Sequence, residues 1–104
     1  MADPYRINIL DAALRELKDI FDYVCQDSPQ NAAKLITRIL DAIDRLDFMP
    51  TRFKVVARSR TTGSAIHSMV VRPFIVYYRV QEPVHMVFIL SIRHGAQMQS
   101  RHFE

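Results

Sequence analysis

The chain has 104 residues, 49% of them hydrophobic, with one cysteine and a formal charge of +3. That is the length of one compact domain with enough apolar material for a core, and it leaves no room for a second. No apolar run reaches the roughly 18 residues that a membrane-spanning helix needs, the start MADPYRINIL lacks the pattern of a signal peptide, and Cys25 has no partner for an intramolecular disulfide, which fits a reducing cytoplasm.

Taken in chain order, Tyr5 to Leu10 (YRINIL) alternates and is β-branched, so it predicts a short strand. Asp11 then stands at an expected N-cap before AALRELKDIFDYV. In that stretch Leu14, Leu17, Ile20, Phe21 and Val24 recur at helical spacing, and Arg15–Asp19 and Lys18–Asp22 are opposite charges four apart on the outer side. This amphipathic helix is expected to end near Asp27. Ser28-Pro29 starts another, because serine caps well and proline at the first helical position loses no intrahelical hydrogen bond. Ala32, Ile36, Ile39, Leu40, Ile43 and Leu46 form its stripe, and Pro50 is expected to close it. Two helices joined so tightly make a hairpin whose apolar faces need a common cover.

Residues 51–65 (TRFKVVARSRTTGSA) are basic and then rich in Ser, Thr and Gly, which predicts a connector, with Lys54-Val55-Val56 as a short extended piece within it. Three strands are predicted after it: IHSMVVR (66–72), FIVYYRV (74–80) and HMVFILSI (85–92), separated by Pro73 and by a Gln81-Glu82-Pro83 turn. Short connections make such strands antiparallel neighbours. Strict alternation puts Met86, Phe88, Leu90 and Ile92 on one face of the last strand and Val87 and Ile89 on the other, which marks it as the sheet centre. The expected fold is α+β, in the order β-α-α-β-β-β: a twisted antiparallel sheet with a helix hairpin on one face, as a single domain over residues 1–104.

The net charge hides a division. Residues 1–50 carry six Lys/Arg and nine Asp/Glu, a net −3, whereas residues 51–104 carry eight against two, a net +6, together with all four histidines. A basic half on a small domain suggests an acidic partner, nucleic acid or protein, or else a plain solvated surface. The histidines show no ligand spacing and there is one cysteine, so no metal site and no cofactor is expected. With only Gly63 and Gly95, no glycine-rich phosphate loop exists either.

In the element order, in the helix SPQNAAKLITRILDAIDRLDFMP closed by proline, in the Tyr-Tyr-Arg-Val of FIVYYRV and in the apolar last strand ending in His94-Gly95-Ala96, the chain resembles the RelE/ParE superfamily, the toxins of bacterial toxin–antitoxin pairs often called plasmid stabilisation proteins. The resemblance runs from YRINIL to about Gln97. It implies a cytoplasmic growth inhibitor with a cognate antitoxin, and a homodimer or a hetero-oligomer with that antitoxin stays open. One branch of the superfamily cleaves mRNA in the ribosome without a metal. The other, ParE-like, poisons DNA gyrase.

Metal-free RNA cleavage needs a base for the 2′-hydroxyl, cations for the phosphorane and an acid for the leaving oxygen. If this chain cuts RNA, the catalytic candidates are Arg72, Arg79, Tyr78 and His94, with His67 and Arg93 available to join them. Arg72 matches a family arginine position and could clamp a phosphate. The cleaving branch, however, commonly carries arginine after the aromatic residue that opens the third of its strands, and here Phe74 is followed by Ile75. Gln97 and Phe103 also depart from that branch's arginine and terminal tyrosine. The ParE-like, gyrase-inhibiting reading is therefore favoured, with the ribosome-dependent nuclease and an inactive antitoxin-binding remnant as alternatives. Partner-binding candidates are Arg72, Arg93 and His94 at strand ends and Arg52, Lys54, Arg58 and Arg60 in the connector. For His94 the competing reading is a strand-end histidine bonded to backbone, and for the connector cations a solvated loop.

Overall fold

The protein was analysed as a computed structural model, which describes residues 3–95. Its elements are β1 (Arg6–Ile9), α1 (Asp11–Cys25), α2 (Pro29–Asp44), β2 (Lys54–Arg58), β3 (Ala65–Val71), β4 (Phe74–Gln81) and β5 (Met86–His94), with short 3-10 turns at Arg45–Asp47, Pro50–Arg52 and Glu82–Val84. They build one five-stranded sheet in the order β1-β5-β4-β3-β2, with both helices on the same face. The α+β class and the helix hairpin are those the sequence implies.

Four details differ from expectation. Lys54–Arg58 is a full sheet member paired antiparallel with β3, so the order after the helices contains four strands. β2, β3, β4 and β5 alternate in direction, and the helix hairpin returns the chain to the end where β1 finished. β1 consequently lies parallel to β5, and the sheet is mixed rather than wholly antiparallel. The helix ends shift as well. Leu10, not Asp11, is the N-cap of α1 and supplies no side-chain cap. α2 gives way to a 3-10 turn at Arg45, and Pro50 opens the next turn instead of closing the helix. At the start of α2 the Ser28 hydroxyl does accept the Asn31 amide, satisfying one of the orphan donors of the first turn.

The fourth difference is a bulge. Tyr77 faces Ser91 while Tyr78 faces Ile89, so Leu90 is an extra residue in β5. Beyond a bulge the alternation changes parity. Ile92 therefore joins Val87 and Ile89 beneath the helices, whereas Leu90 packs with Ile66 and Tyr77 on the other face.

The main core lies between helices and sheet: Ala13, Leu17, Ile39, Ile43 and Leu46 from the helical layer against Met69, Val71, Phe74, Val76, Tyr78, Val87, Ile89 and Ile92 from the strands. Each fully buried aliphatic side chain contributes about 1.5–3 kcal/mol. The far face carries a smaller cluster, Ile66, Tyr77 and Leu90, flanked by Leu10, Ala57, Ile75 and Phe88.

Tyr78 ties the core to the chain after α2. It is fully buried, its hydroxyl donates to the Pro50 carbonyl, and its ring stacks on His67 at 5.2 Å. The His67 Nδ1 in turn lies 2.8 Å from the Phe53 carbonyl oxygen. Burial pushes the Tyr78 phenol up to about 12, against a smaller opposing pull from Arg52. A raised phenol pKa favours the neutral form in the folded state, so this stability is complete below the unfolded value near 10 and is lost as pH rises towards 12. Tyr78→Phe leaves the Pro50 carbonyl without its donor and is expected to cost about 1–3 kcal/mol in urea unfolding. The same variant should flatten the alkaline fall in stability above pH 10, followed by denaturation midpoints across the range.

Candidate functional site

The cationic and titratable side chains singled out by sequence fall in five places. Tyr78 is core. His67 is core beside it, only 5% exposed. Neither reaches the surface, so both act on the packing of the chain after α2.

His94 ends β5 on the helix face. It is exposed, and its ring meets Phe74 edge-on at 5.4 Å. Together with Arg93 it borders a groove of about 760 Å³ whose apolar walls are Ile20, Val24, Leu35, Phe74 and Ile92, with Glu16 and Asp19 at the rim. Arg79 lies on the far face, its guanidinium 4.3 Å over the Phe88 ring, an arrangement that holds a cation on an aromatic quadrupole. It lines a cleft of about 370 Å³ that also contains Ser59, Thr61, Thr62, Ser91 and Arg93. Arg72 is exposed in the turn between β3 and β4, before a cis Pro73, and its carbonyl accepts a bond from Arg38.

Arg93 stands between groove and cleft. Its Nε donates to Ser91 Oγ at 2.8 Å and lies 3.8 Å from Glu16 Oε2. Glu16 organises this corner: Oε1 accepts the Ser91 hydroxyl at 2.9 Å and the Ile92 amide at 3.0 Å. The amide needs such an acceptor because β1 pairs with β5 only as far as Ile89, and a buried N–H left without a partner is costly. Glu16 was missed by sequence reasoning, since a carboxylate on an acidic helix carries no local mark of aiming inward. The strand that ends in Arg93-His94 thus does so beside a helix carboxylate and an aromatic ring. Gly95 follows because the chain passes close to the preceding turn: its amide donates to the Pro73 carbonyl at 2.8 Å, and a Cβ there would sit 3.3 Å from that oxygen.

The connector cations occupy the opposite edge of the sheet. Arg52 donates to the carbonyls of Phe48, Met49 and Arg45 and lies 4.7 Å over the Phe53 ring. It clamps a turn in which Met49 holds a left-handed backbone, φ 47°. Lys54 is exposed on β2. Arg58 donates to the Gly63 carbonyl at 3.2 Å, and Arg60 is exposed in the turn that follows. Among the described residues no cluster of three or more His, Cys, Asp or Glu could hold a metal, and no helix is long and apolar enough to cross a membrane. Gln97, Phe103 and the segment 98–104 lie outside the described residues.

A family model described as "ParE toxin of type II toxin–antitoxin system, parDE" matches residues 7–99, almost the whole chain. The chain belongs to this ParE toxin family. Toxin RelE2 of Caulobacter vibrioides is 33% identical over 86 residues, 83% of this chain and 90% of that protein. A putative toxin of Sinorhizobium fredii, Y4kP, is 32% identical over 85 residues, 82% of each chain. Among solved structures, the chromosomal ParDE system of P. aeruginosa superposes with a TM-score of 0.68 at 20% identity, over 89% of this chain and 98% of that one. The RelBE2 toxin–antitoxin complex of Mycobacterium tuberculosis gives 0.59 at 21% identity, over 90% and 94%. These two likenesses are of fold. The ParE-family chain is thus a type II toxin of the wider RelE/ParE group.

Within this toxin, Glu16→Ala removes the acceptor of Ser91 and Ile92 and leaves Arg93 without its carboxylate. The expected loss is about 1–3 kcal/mol of stability, with Glu16→Gln losing less because its amide oxygen still accepts. Chemical denaturation of the three proteins side by side measures both.

Proposed function

We propose that this toxin acts by binding DNA gyrase, that it does not cleave RNA itself, and that a cognate antitoxin neutralises it. The observation that carries this reading is the dispersal of the candidate catalytic groups. Cleavage of a phosphodiester needs acid, base and cations around one phosphate. Here Tyr78 is inside the core, His94 borders the helix-face groove, Arg79 lines the far-face cleft and Arg72 occupies a turn. Arg93 is bonded to Ser91 and lies close to Glu16. Ile75 stands where the cleaving branch has arginine, and its side chain joins an apolar cluster. A binding toxin needs none of these groups to converge.

The partner reading draws on the groove. An apolar trough between two helices and the sheet is a surface that another chain covers favourably, and its lining includes Arg93, His94, Glu16 and Asp19, groups of both signs. Such a mixed rim suits a folding-upon-binding segment of an antitoxin. The solved relatives include toxin–antitoxin complexes, which supports the same assignment.

The ribosome-dependent nuclease is the second reading. It rests on Arg79 and Arg93 sharing one cleft with Ser59, Thr61 and Thr62. Expression of the chain without antitoxin separates the two. The gyrase reading expects growth arrest with filamentation, loss of plasmid supercoiling and intact bulk mRNA. Rapid translation arrest with cuts at ribosomal A-site codons, abolished in Arg79→Ala, would overturn it. Normal growth at full expression would indicate an inactive antitoxin-binding remnant.

A further inference from the structure

We infer that β2 is a strand-addition site, whose outer edge takes an extended acidic segment of a protein partner as the sixth strand of the sheet. β2 is terminal in the strand order. Among the described residues its outer side meets no strand. An uncovered strand edge presents a row of N–H and C=O groups ready to pair with another chain. Two features make this edge specific.

The first is charge. Residues 52–60 (RFKVVARSR) contain four cations and no carboxylate, and Lys54 and Arg58 at the two ends of the strand are exposed. The second is apolar surface. Val55 and Val56 are 47% and 42% exposed, and the register shift between Val55 and Ala57 leaves Val56 as the bulged residue. The edge thus offers cation, valine, valine, cation along one strand. A peptide alternating carboxylates with β-branched residues matches it in both respects.

Other occupants fit less well. In a symmetric antiparallel pairing with a second copy, Lys54 of one chain lies opposite Arg58 of the other, and like charges directly opposite destabilise a strand pair. Nucleic acid would satisfy the cations but has no peptide groups for the ladder. The opposite edge differs again. β1 has four residues, its start is tied to neighbouring turns by the Tyr5 amide on Asp47 and the Arg6 amide on His85, and Tyr5 donates to Glu82. This proposal does not depend on gyrase being the target.

The probe is a capped synthetic peptide of alternating Glu and Val, titrated into the full chain while backbone amide exchange is followed residue by residue. The expected result is slowed exchange at outward amides of residues 54–58, with affinity falling about tenfold or more between low and high salt, as exposed charge pairs are screened. The double variant Lys54→Glu/Arg58→Glu should keep the thermal midpoint within a few degrees, lose the acidic peptide and gain a Lys-Val peptide instead. The proposal fails if the acidic peptide does not bind, protects some other surface or binds the charge-reversed variant equally well. It fails equally if a short single-stranded oligonucleotide protects β2 and the peptide does not, or if the chain dimerises through this edge.

Discussion

One inserted residue in β5 governs where the candidate functional side chains stand. Because Leu90 is extra, Ile92 turns beneath the helices, Ser91 and Arg93 stand opposite Tyr77 and Ile75 but within reach of Glu16, and the Ile92 amide is presented to α1. Glu16 receives it and, through Ser91 and Arg93, fixes the corner between groove and cleft. Without the bulge, strict alternation would carry Arg93 to the helix side and His94 to the other. The two faces would then present a different chemistry.

The same geometry separates two surfaces on a small molecule. The helix side ends in an apolar groove with a mixed-charge rim. The far side carries a compact apolar cluster with Arg79 laid over Phe88. The charge division of the sequence maps onto this plan: the acidic half supplies the helical layer and the basic half supplies β2 to β5. A sheet enriched in cations under an acidic helix pair can meet two partners of different charge at once.

Much of the fold was legible because it rests on local rules. The Ser28-Pro29 restart, the α2 stripe and the apolar β4 and β5 are all written in spacing and capping, and each is found, whereas in α1 Leu14 and Phe21 of the expected stripe stay exposed and Ala13 is buried with Leu17 instead. β2 was harder. KVVAR is short, basic and flanked by polar residues, and its strand character comes from pairing with β3 rather than from its own pattern. The candidate site was legible only as a set of residue types. Arg52 resembles a binding cation in sequence, yet it clamps three carbonyls of the turn before it. Glu16 resembles one more surface acid, yet it organises the end of β5.

Sequence alone determined the class, the helix hairpin, the division of charge and the membership of a toxin family, since these follow from periodicity, composition and motifs that survive in a linear reading. Tertiary structure decided the parallel seat of β1 beside β5, the parity change at Leu90, the burial of Tyr78 and the scattering of the candidate catalytic groups. Those depend on which distant backbone groups find each other. Arg93 and His94 are neighbours in the chain, but their roles are set by Glu16 and Phe74, residues far from them in sequence and brought close only by packing.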